Sequence, residues 1–482
     1  MCEGFTSVKS KNTASETQRN RWENHSPPLK VSGYIAESPP ASGAIIPPIV
    51  GAKLPPGIAA ATSSSDTPGM DYRPRLIDAQ LQAALAAAGA VVLEGPKACG
   101  KTETARQASR SEVRIDTVAS RQAMDVSPEL LLEGDTPRLL DEGQAEPDLW
   151  NYVRHAVDDR QAKGQFILTG SAVPRDDPKR HPGPGRFIHL RMRPMTLVET
   201  GHSSKQVSLA AVLRGEKVAA PETGLTVPDI AERIVIGGWP TNLGLNARQA
   251  QRLMTGYIDD VCRVDIARLD GVRRDPVGVS RVIRSLARNT STPASVEAIA
   301  VDAAGTDRAI KIETVHTYLD ALARLMFTDN VPAWKPDLRS RVRLRAAAVR
   351  HLSDPALAAA ALGATPARLL HDLNLMGFLF ESMVVRDLRT YAEAVDANIY
   401  HYRDEKGLEA DVVIELPDGQ WAAFEVKLGS SPEVVDGAAS SLLRLAEKVQ
   451  GEPVALGVIT GTGYALSRRD GVLQIPIGTL AP

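Results

Sequence analysis

AVVLEGPKACGKT, residues 90–102, decides the reading of this chain. Ala90–Glu94 is a short apolar run of strand length, and Gly95–Thr102 fits G-x-x-x-x-G-K-[ST]. Glycines in such a loop let backbone N–H groups turn inward around phosphate oxygens. Gly95, Pro96, Lys97, Ala98, Cys99, Gly100, Lys101 and Thr102 are therefore the expected phosphate cradle. Lys101 is expected to reach the β and γ oxygens, and the Thr102 hydroxyl to meet Mg²⁺. The loop follows a predicted strand and opens a predicted helix, so a triphosphate would lie at the positive end of that helix. ATP with Mg²⁺ is the implied cofactor pair.

Working outward, Ile77, Leu81 and Leu85 recur every four residues before Gly89, which predicts a helix leading into the first strand. Further strands are expected at 113–116, 138–141 and 165–169, separated by helix-length segments such as 149–161. This alternation predicts a parallel α/β sheet. RLLDE, Arg138–Glu142, places Asp141 at the end of an apolar strand, where it can orient the waters of Mg²⁺. Glu142 follows as the candidate general base. FILTGS, Phe166–Ser171, ends another strand in hydroxyl side chains: Thr169 or Ser171 senses the γ-phosphate, or the strand merely enters a turn. Arg186, after the PGPG turn, is a candidate transition-state cation, in cis or across the interface of a homo-oligomer; the alternative is a solvated arginine.

The 482 residues exceed one ordinary core and predict several domains. A formal charge of -2 excludes a globally basic nucleic-acid binder, so any such surface must be local. Cys2, Cys99 and Cys262 are odd in number and have no metal-ligand spacing, which argues against a disulfide framework or a zinc site and fits the cytoplasm. No apolar run is long enough for a membrane helix. Residues 1–70, rich in Ser, Thr, Pro and Gly, read as a disordered tail, with Met70 an alternative start. The P-loop domain is expected over 71–202, a helical linker region over 203–272 and a winged-helix-like segment over 273–345, the last from three helical patterns and a hairpin through Phe327, Val331 and Trp334. Residues 346–482 form a closing α/β domain.

Within that last domain Glu381 lies on a predicted helix, Asp411 in EADVVIE, and Glu425 with Lys427 in FEVKLGS. Alternation along a strand puts Glu425 and Lys427 on one face, within reach of Asp411 on a neighbouring strand. Two carboxylates and a lysine suit metal-assisted phosphodiester hydrolysis; an ordinary surface ion pair has the same signature. Arg339, Arg341, Arg343 and Arg345 alternate beside the winged-helix segment and would either contact a DNA backbone or form a solvated face. Asp265 and Arg268 form either a helix salt bridge or a domain contact.

GPKACGKT, LLDEGQ, FILTGSA with a following GR, RPMTLVE (Arg193–Glu199), GGWP (Gly237–Pro240) and DVVIE…FEVKLGS occur in an order that resembles the prokaryotic ATPases joining an AAA-type ATP-binding domain to a C-terminal DUF4143 domain. The resemblance spans most of the chain from residue 72. It implies an AAA-like ATPase core, a winged-helix segment and a C-terminal domain similar to PD-(D/E)XK nucleases, a restriction-endonuclease-like α/β fold. Lys97 stands where such loops often carry arginine, and Gly143 where an aliphatic residue is usual. Three functions are compatible: an ATPase switch acting on DNA or a protein, an ATP-coupled nuclease, and a module that binds ATP without hydrolysing it.

Overall fold

The computed structural model describes residues 72–172, 183–222, 224–269, 271–305, 309–335, 347–449 and 451–482. The tail 1–70 and the arginines at 339, 341, 343 and 345 lie outside the described residues. Strands run in chain order as β1 (Ala90–Glu94), β2 (Ser111–Arg114), β3 (Arg138–Asp141), β4 (Phe166–Gly170), β5 (Phe187–Arg191), β6 (Val207–Ser208), β7 (Ala219–Ala220), β8 (Asn398–Arg403), β9 (Glu409–Glu415), β10 (Trp421–Lys427), β11 (Ala455–Thr460), β12 (Ala465–Ser467), β13 (Leu473–Pro476) and β14 (Leu480–Ala481).

The first five make one parallel sheet in the order β2-β3-β4-β1-β5. Both faces are covered at the inner strands, so β1, β3 and β4 are buried almost throughout, and the two-residue period appears in what each side chain packs against. Ala90 and Val92 of β1 join Leu140, Phe166 and Leu168 in one core. Val91 and Leu93 join Leu139 and Ile167 in the other, under the helix Ile77–Ala87. Expected and observed strands agree to within about two residues. The loop after β1 sits between strands of the sheet's middle, and β4 separates β1 from β3.

The second sheet has seven strands in the order β7-β12-β13-β11-β10-β9-β8. Helix Pro432–Lys448 covers one face through Val435, Leu442 and Leu445. Helix Leu373–Glu393 packs on the other through Leu379, Phe380 and Met383, in a core that runs on without a break into the middle helices, from Leu197 to Ala481. Two small strands tie the linker residues to the C-terminal segment: β7 pairs antiparallel with β12 at the edge of this sheet, and β6 runs parallel to β14 in a separate two-stranded sheet. Strands of two residues carry no periodicity, so the sequence gives no sign of either.

Along the chain between β7 and β8 come the helices Val227–Ile236, Ala247–Asp260, Pro276–Arg288, Val296–Ala304 and Ile312–Arg324. Extended residues follow the last of them, bridging Thr328 to Leu352 and Val331 to Val349, both antiparallel. Among the described residues no helix is long and apolar enough to cross a membrane.

Candidate functional site: a phosphate loop held from three sides

Ala98 (φ +61°) and Gly100 (φ +106°) adopt left-handed backbone, which curls the loop around its own centre. The N–H groups of Ala98, Gly100, Lys101 and Thr102 bond to no acceptor among the described residues, as the open end of the helix Lys101–Ala108 requires. Lys101 is buried, and its ammonium donates to the carbonyls of Gly95 and Pro96, both at 3.0 Å. Those carbonyls hold the cation at the loop's centre, the position from which it would meet phosphate oxygens. Cys99 is fully buried with its thiol toward the Met192 carbonyl, so it is not an accessible reporter of the loop.

Thr102 donates its hydroxyl to Asp141 Oδ1 at 2.7 Å, and Thr169 donates to the same oxygen at 2.7 Å. Thr169 in turn accepts the Glu142 N–H at 3.0 Å. One hydroxyl at the end of β4 therefore ties both carboxylate residues at the end of β3. Glu142 has a left-handed backbone (φ +59°), an unusual conformation for a side-chain-bearing residue and one that concentrates at functional sites. Its carboxylate hydrogen-bonds the Gln144 amide. Thr102, Asp141, Glu142, Gln144 and Ser171 line a cavity of about 730 Å³. A hard hydroxyl and a hard carboxylate in contact are the donor chemistry that Mg²⁺ prefers, so these residues fit the metal that a triphosphate brings.

Arg186 does not join this group in its own chain. The Ala90 N–H donates to the Arg186 carbonyl, which puts Arg186 at the start of β5, while the loop follows the far end of the adjacent β1, roughly 15 Å along the strands. Its guanidinium pairs with Asp158 at 2.8 Å. Arg114, a residue the sequence reading left aside, does reach the cavity. It closes β2 in register with Asp141, and register partners in a parallel pair project to the same face. Asp265 pairs with Lys97 of the loop at 3.1 Å, which makes it a contact between segments rather than a salt bridge to Arg268. Arg268 lines the opposite wall of the cavity with Tyr257.

The remaining sequence marks explain how the loop is held. Trp239 of GGWP is wholly buried and donates its indole N–H to the Lys97 carbonyl at 3.1 Å. Gly238 lies so close to Met195 that an added Cβ would stand 2.2 Å from its carbonyl oxygen. Arg75, also missed in the sequence, donates to the Cys99 carbonyl (2.9 Å), the Arg193 carbonyl (2.8 Å) and Glu199 (2.8 Å). Arg193 continues to Asp329 at 2.6 Å and Glu393 at 2.6 Å. The three arginines around Asp329, led by Arg193, outweigh its burial and hold its carboxyl well below the usual range. A buried chain of ionic hydrogen bonds thus runs from the loop to the helix Leu373–Glu393.

The C-terminal residues also come together. Lys427 pairs with Glu425 at 2.6 Å and Asp411 at 3.5 Å, and Asp411 accepts the Val426 N–H at 2.7 Å. Burial, reinforced by Asp411, pushes Glu425 up to about 8, and burial with the same neighbour pushes Glu381 well above its ordinary value. The lysine ammonium occupies the space between the two carboxylates. Among the described residues no three His, Cys, Asp or Glu side chains stand close enough to hold a metal ion.

Three family models match: an AAA domain over residues 87–201, a domain of unknown function (DUF8612) over 227–368 and a domain of unknown function (DUF4143) over 376–480. The chain is 27% identical over 380 residues to the uncharacterized protein Rv2008c of Mycobacterium tuberculosis and, to the same extent, to the uncharacterized protein Mb2031c of Mycobacterium bovis, covering 76% of each pair. A solved structure, the Walker-type ATPase PABY2304 of Pyrococcus abyssi, aligns at 13% identity and a TM-score of 0.36, over 61% of this chain and 96% of that one. With the loop and the paired carboxylates in place, the chain joins an AAA domain to a C-terminal DUF4143 domain, the combination found in AAA-type ATPases of this kind.

Proposed function

We propose that the chain is a Mg²⁺-dependent ATPase whose nucleotide state acts as a switch on the middle helices and the C-terminal domain. Lys101 and the free loop amides would take the β and γ phosphates, Thr102 and Asp141 would hold Mg²⁺, and Glu142 would orient and deprotonate the attacking water. Mg²⁺ would neutralise charge on the triphosphate oxygens. Arg114 would place a cation beside the transferring group from within the chain.

The single observation that carries the switch is the grip on Lys97. Its carbonyl takes the Trp239 indole and its ammonium takes Asp265, so any shift of Lys97 as a phosphate enters the loop would be passed to two residues of the middle segment at once. The partner on which the switch acts is proposed to be DNA or a protein, met by the helices Pro276–Arg288 to Ile312–Arg324. Steady-state phosphate release tests the reading. Lys101→Ala should abolish ATP binding, and Glu142→Gln should keep it while slowing turnover about 10²-fold or more. Equal turnover in wild type and Glu142→Gln would remove the glutamate from the mechanism, and tight binding with no release in the wild type would leave ATP as a structural ligand.

A second reading, nucleolytic cleavage by Asp411, Glu425 and Lys427, draws support from their convergence with Glu381. It predicts nicking of plasmid with Mg²⁺ or Mn²⁺ that Asp411→Ala abolishes. Intact plasmid under every nucleotide condition would set it aside.

A further inference from the structure

Beside the GGWP segment lies a cavity of about 370 Å³ that shares no lining residue with the one at the phosphate loop and is within the size range of small-ligand sites. Arg73, Thr200, His202, Arg233, Asn242 and Arg386 are among its walls, and no carboxylate is. The Arg386 charge is spent on Asp354 and Asp387, both at 2.6 Å. Among the described residues Arg73 has no carboxylate partner; one of its donors goes to the Thr200 carbonyl at 3.2 Å. Arg233 is braced by His202 at 3.0 Å and pairs with Glu232, outside the cavity wall, at 3.3 Å through its other terminal nitrogen. A guanidinium can only donate, so His202 Nε2 accepts there and the ring is neutral, with Nδ1 donating to the Thr200 hydroxyl at 3.0 Å. Burial, then Arg233, holds the His202 pKa below its ordinary value, in keeping with that tautomer.

The second observation is an orphaned acceptor. Asn242 is completely buried, and its amide nitrogen donates to the Ile236 carbonyl at 2.7 Å. That bond fixes which end of the amide is which and leaves Oδ1 with no donor. A buried carbonyl without a partner costs about 1–3 kcal/mol. Oδ1 itself has almost no accessible surface, so it marks a polar group left unanswered within the wall, while an occupant carrying negative charge would answer the cationic side chains that face the cavity.

We propose that this cavity binds a small phosphate-bearing anion, and that its occupancy is felt at the phosphate loop. The second half rests on the ATPase switch proposed above; the first does not. Both walls lead to the loop: Arg73 is two residues from Arg75, which bonds the Cys99 carbonyl, and Gly237 is two residues from Trp239, which bonds the Lys97 carbonyl.

Inorganic pyrophosphate, titrated calorimetrically into the full chain carrying Lys101→Ala, tests the site with the loop silenced. Saturable binding is expected, weakened tenfold or more by Arg73→Ala and by Arg233→Gln, each with an unchanged far-ultraviolet spectrum. No saturable binding, or binding indifferent to both changes, overturns the site. Tryptophan emission recorded in the same titration should shift, and Trp239→Phe should remove the shift. Binding with no such shift overturns the coupling while the site stands. Because neither readout needs hydrolysis, a chain that fails to turn over ATP does not decide this test.

Discussion

Thr169 gives its hydroxyl hydrogen to Asp141 at 2.7 Å and takes the N–H of Glu142 at 3.0 Å, so one side chain at the end of β4 sets the position of both acidic residues of β3. Its methyl group is buried with the rest of the strand end. Thr169→Val keeps shape and volume but removes both bonds. The metal-facing carboxylate then loses one of its two hydroxyl donors, Thr102 being the other. Loss of such an orienting contact costs 10- to 100-fold in comparable sites, so ATP turnover should fall by about that factor. ATP affinity, carried by the loop, should change less, and nucleotide titration beside a phosphate-release assay separates the two.

Arg114 and Arg186 stand at opposite ends of the same sheet, and only Arg114 faces the cavity. If the cation in the transition state comes from within the chain, Arg114→Ala should lower kcat by about tenfold or more, with KM moved less. Arg186→Ala should leave kcat within about twofold at protein concentrations where the chain is monomeric. A fall in the Arg186 variant that appears only as concentration rises would place that residue across a subunit interface instead.

How far the sequence could be read follows from how local each interaction is. The strand, loop and helix around Lys101 are encoded within some twenty consecutive residues, and the apolar run that ends in Asp141 marked the strand whose end meets Thr102, with β4 lying between β3 and β1. Alternation likewise brought Asp411, Glu425 and Lys427 together. Arg75, Trp239 and Asp265 were not legible as holders of the loop, because each acts across more than twenty residues, the last two across more than a hundred, on backbone carbonyls or on a charge that carries no motif. Arg186 misled because a glycine turn before an arginine says nothing of which end of the sheet it occupies. The strands β6 and β7 are too short for any period, so the pairing of the linker residues with the C-terminal strands β14 and β12 had no local signal.

Gly238 illustrates a constraint that is purely one of space. Its N–H donates to Asp354 at 3.0 Å, its carbonyl accepts the Met195 N–H at 2.6 Å, and the Met195 carbonyl oxygen fills the place of a side chain. Gly238→Ala must push two backbone segments apart. A cost of about 3 kcal/mol or more is expected, read as a lowered denaturant midpoint. Gly244→Ala, in open space six residues on, meets no such neighbour and should be penalised only for its left-handed backbone, by about 1 kcal/mol. Equal losses in the two variants would show that backbone conformation, not the approach of Met195, sets the cost.

The last expectation concerns pH and the carboxyl of Glu425. Burial beside Asp411 raises it from 4.5 to about 8, so in the folded chain it keeps its proton through neutrality, whereas the unfolded chain releases it near 4.5. Below 4.5 both states are protonated and the contribution to stability is complete. Between 4.5 and 8 only the folded state holds the proton, so that contribution is lost as pH rises, at up to about 1.4 kcal/mol per pH unit for one full proton. Glu425→Gln removes the titrating group while keeping a neutral, hydrogen-bonding side chain beside Lys427. Denaturant midpoints measured from pH 5.5 to 8.5 should therefore fall more steeply with rising pH in the wild type than in the variant. The comparison cancels every other group that titrates alike in both, and parallel slopes would mean that Lys427, at 2.6 Å, keeps Glu425 ionised throughout.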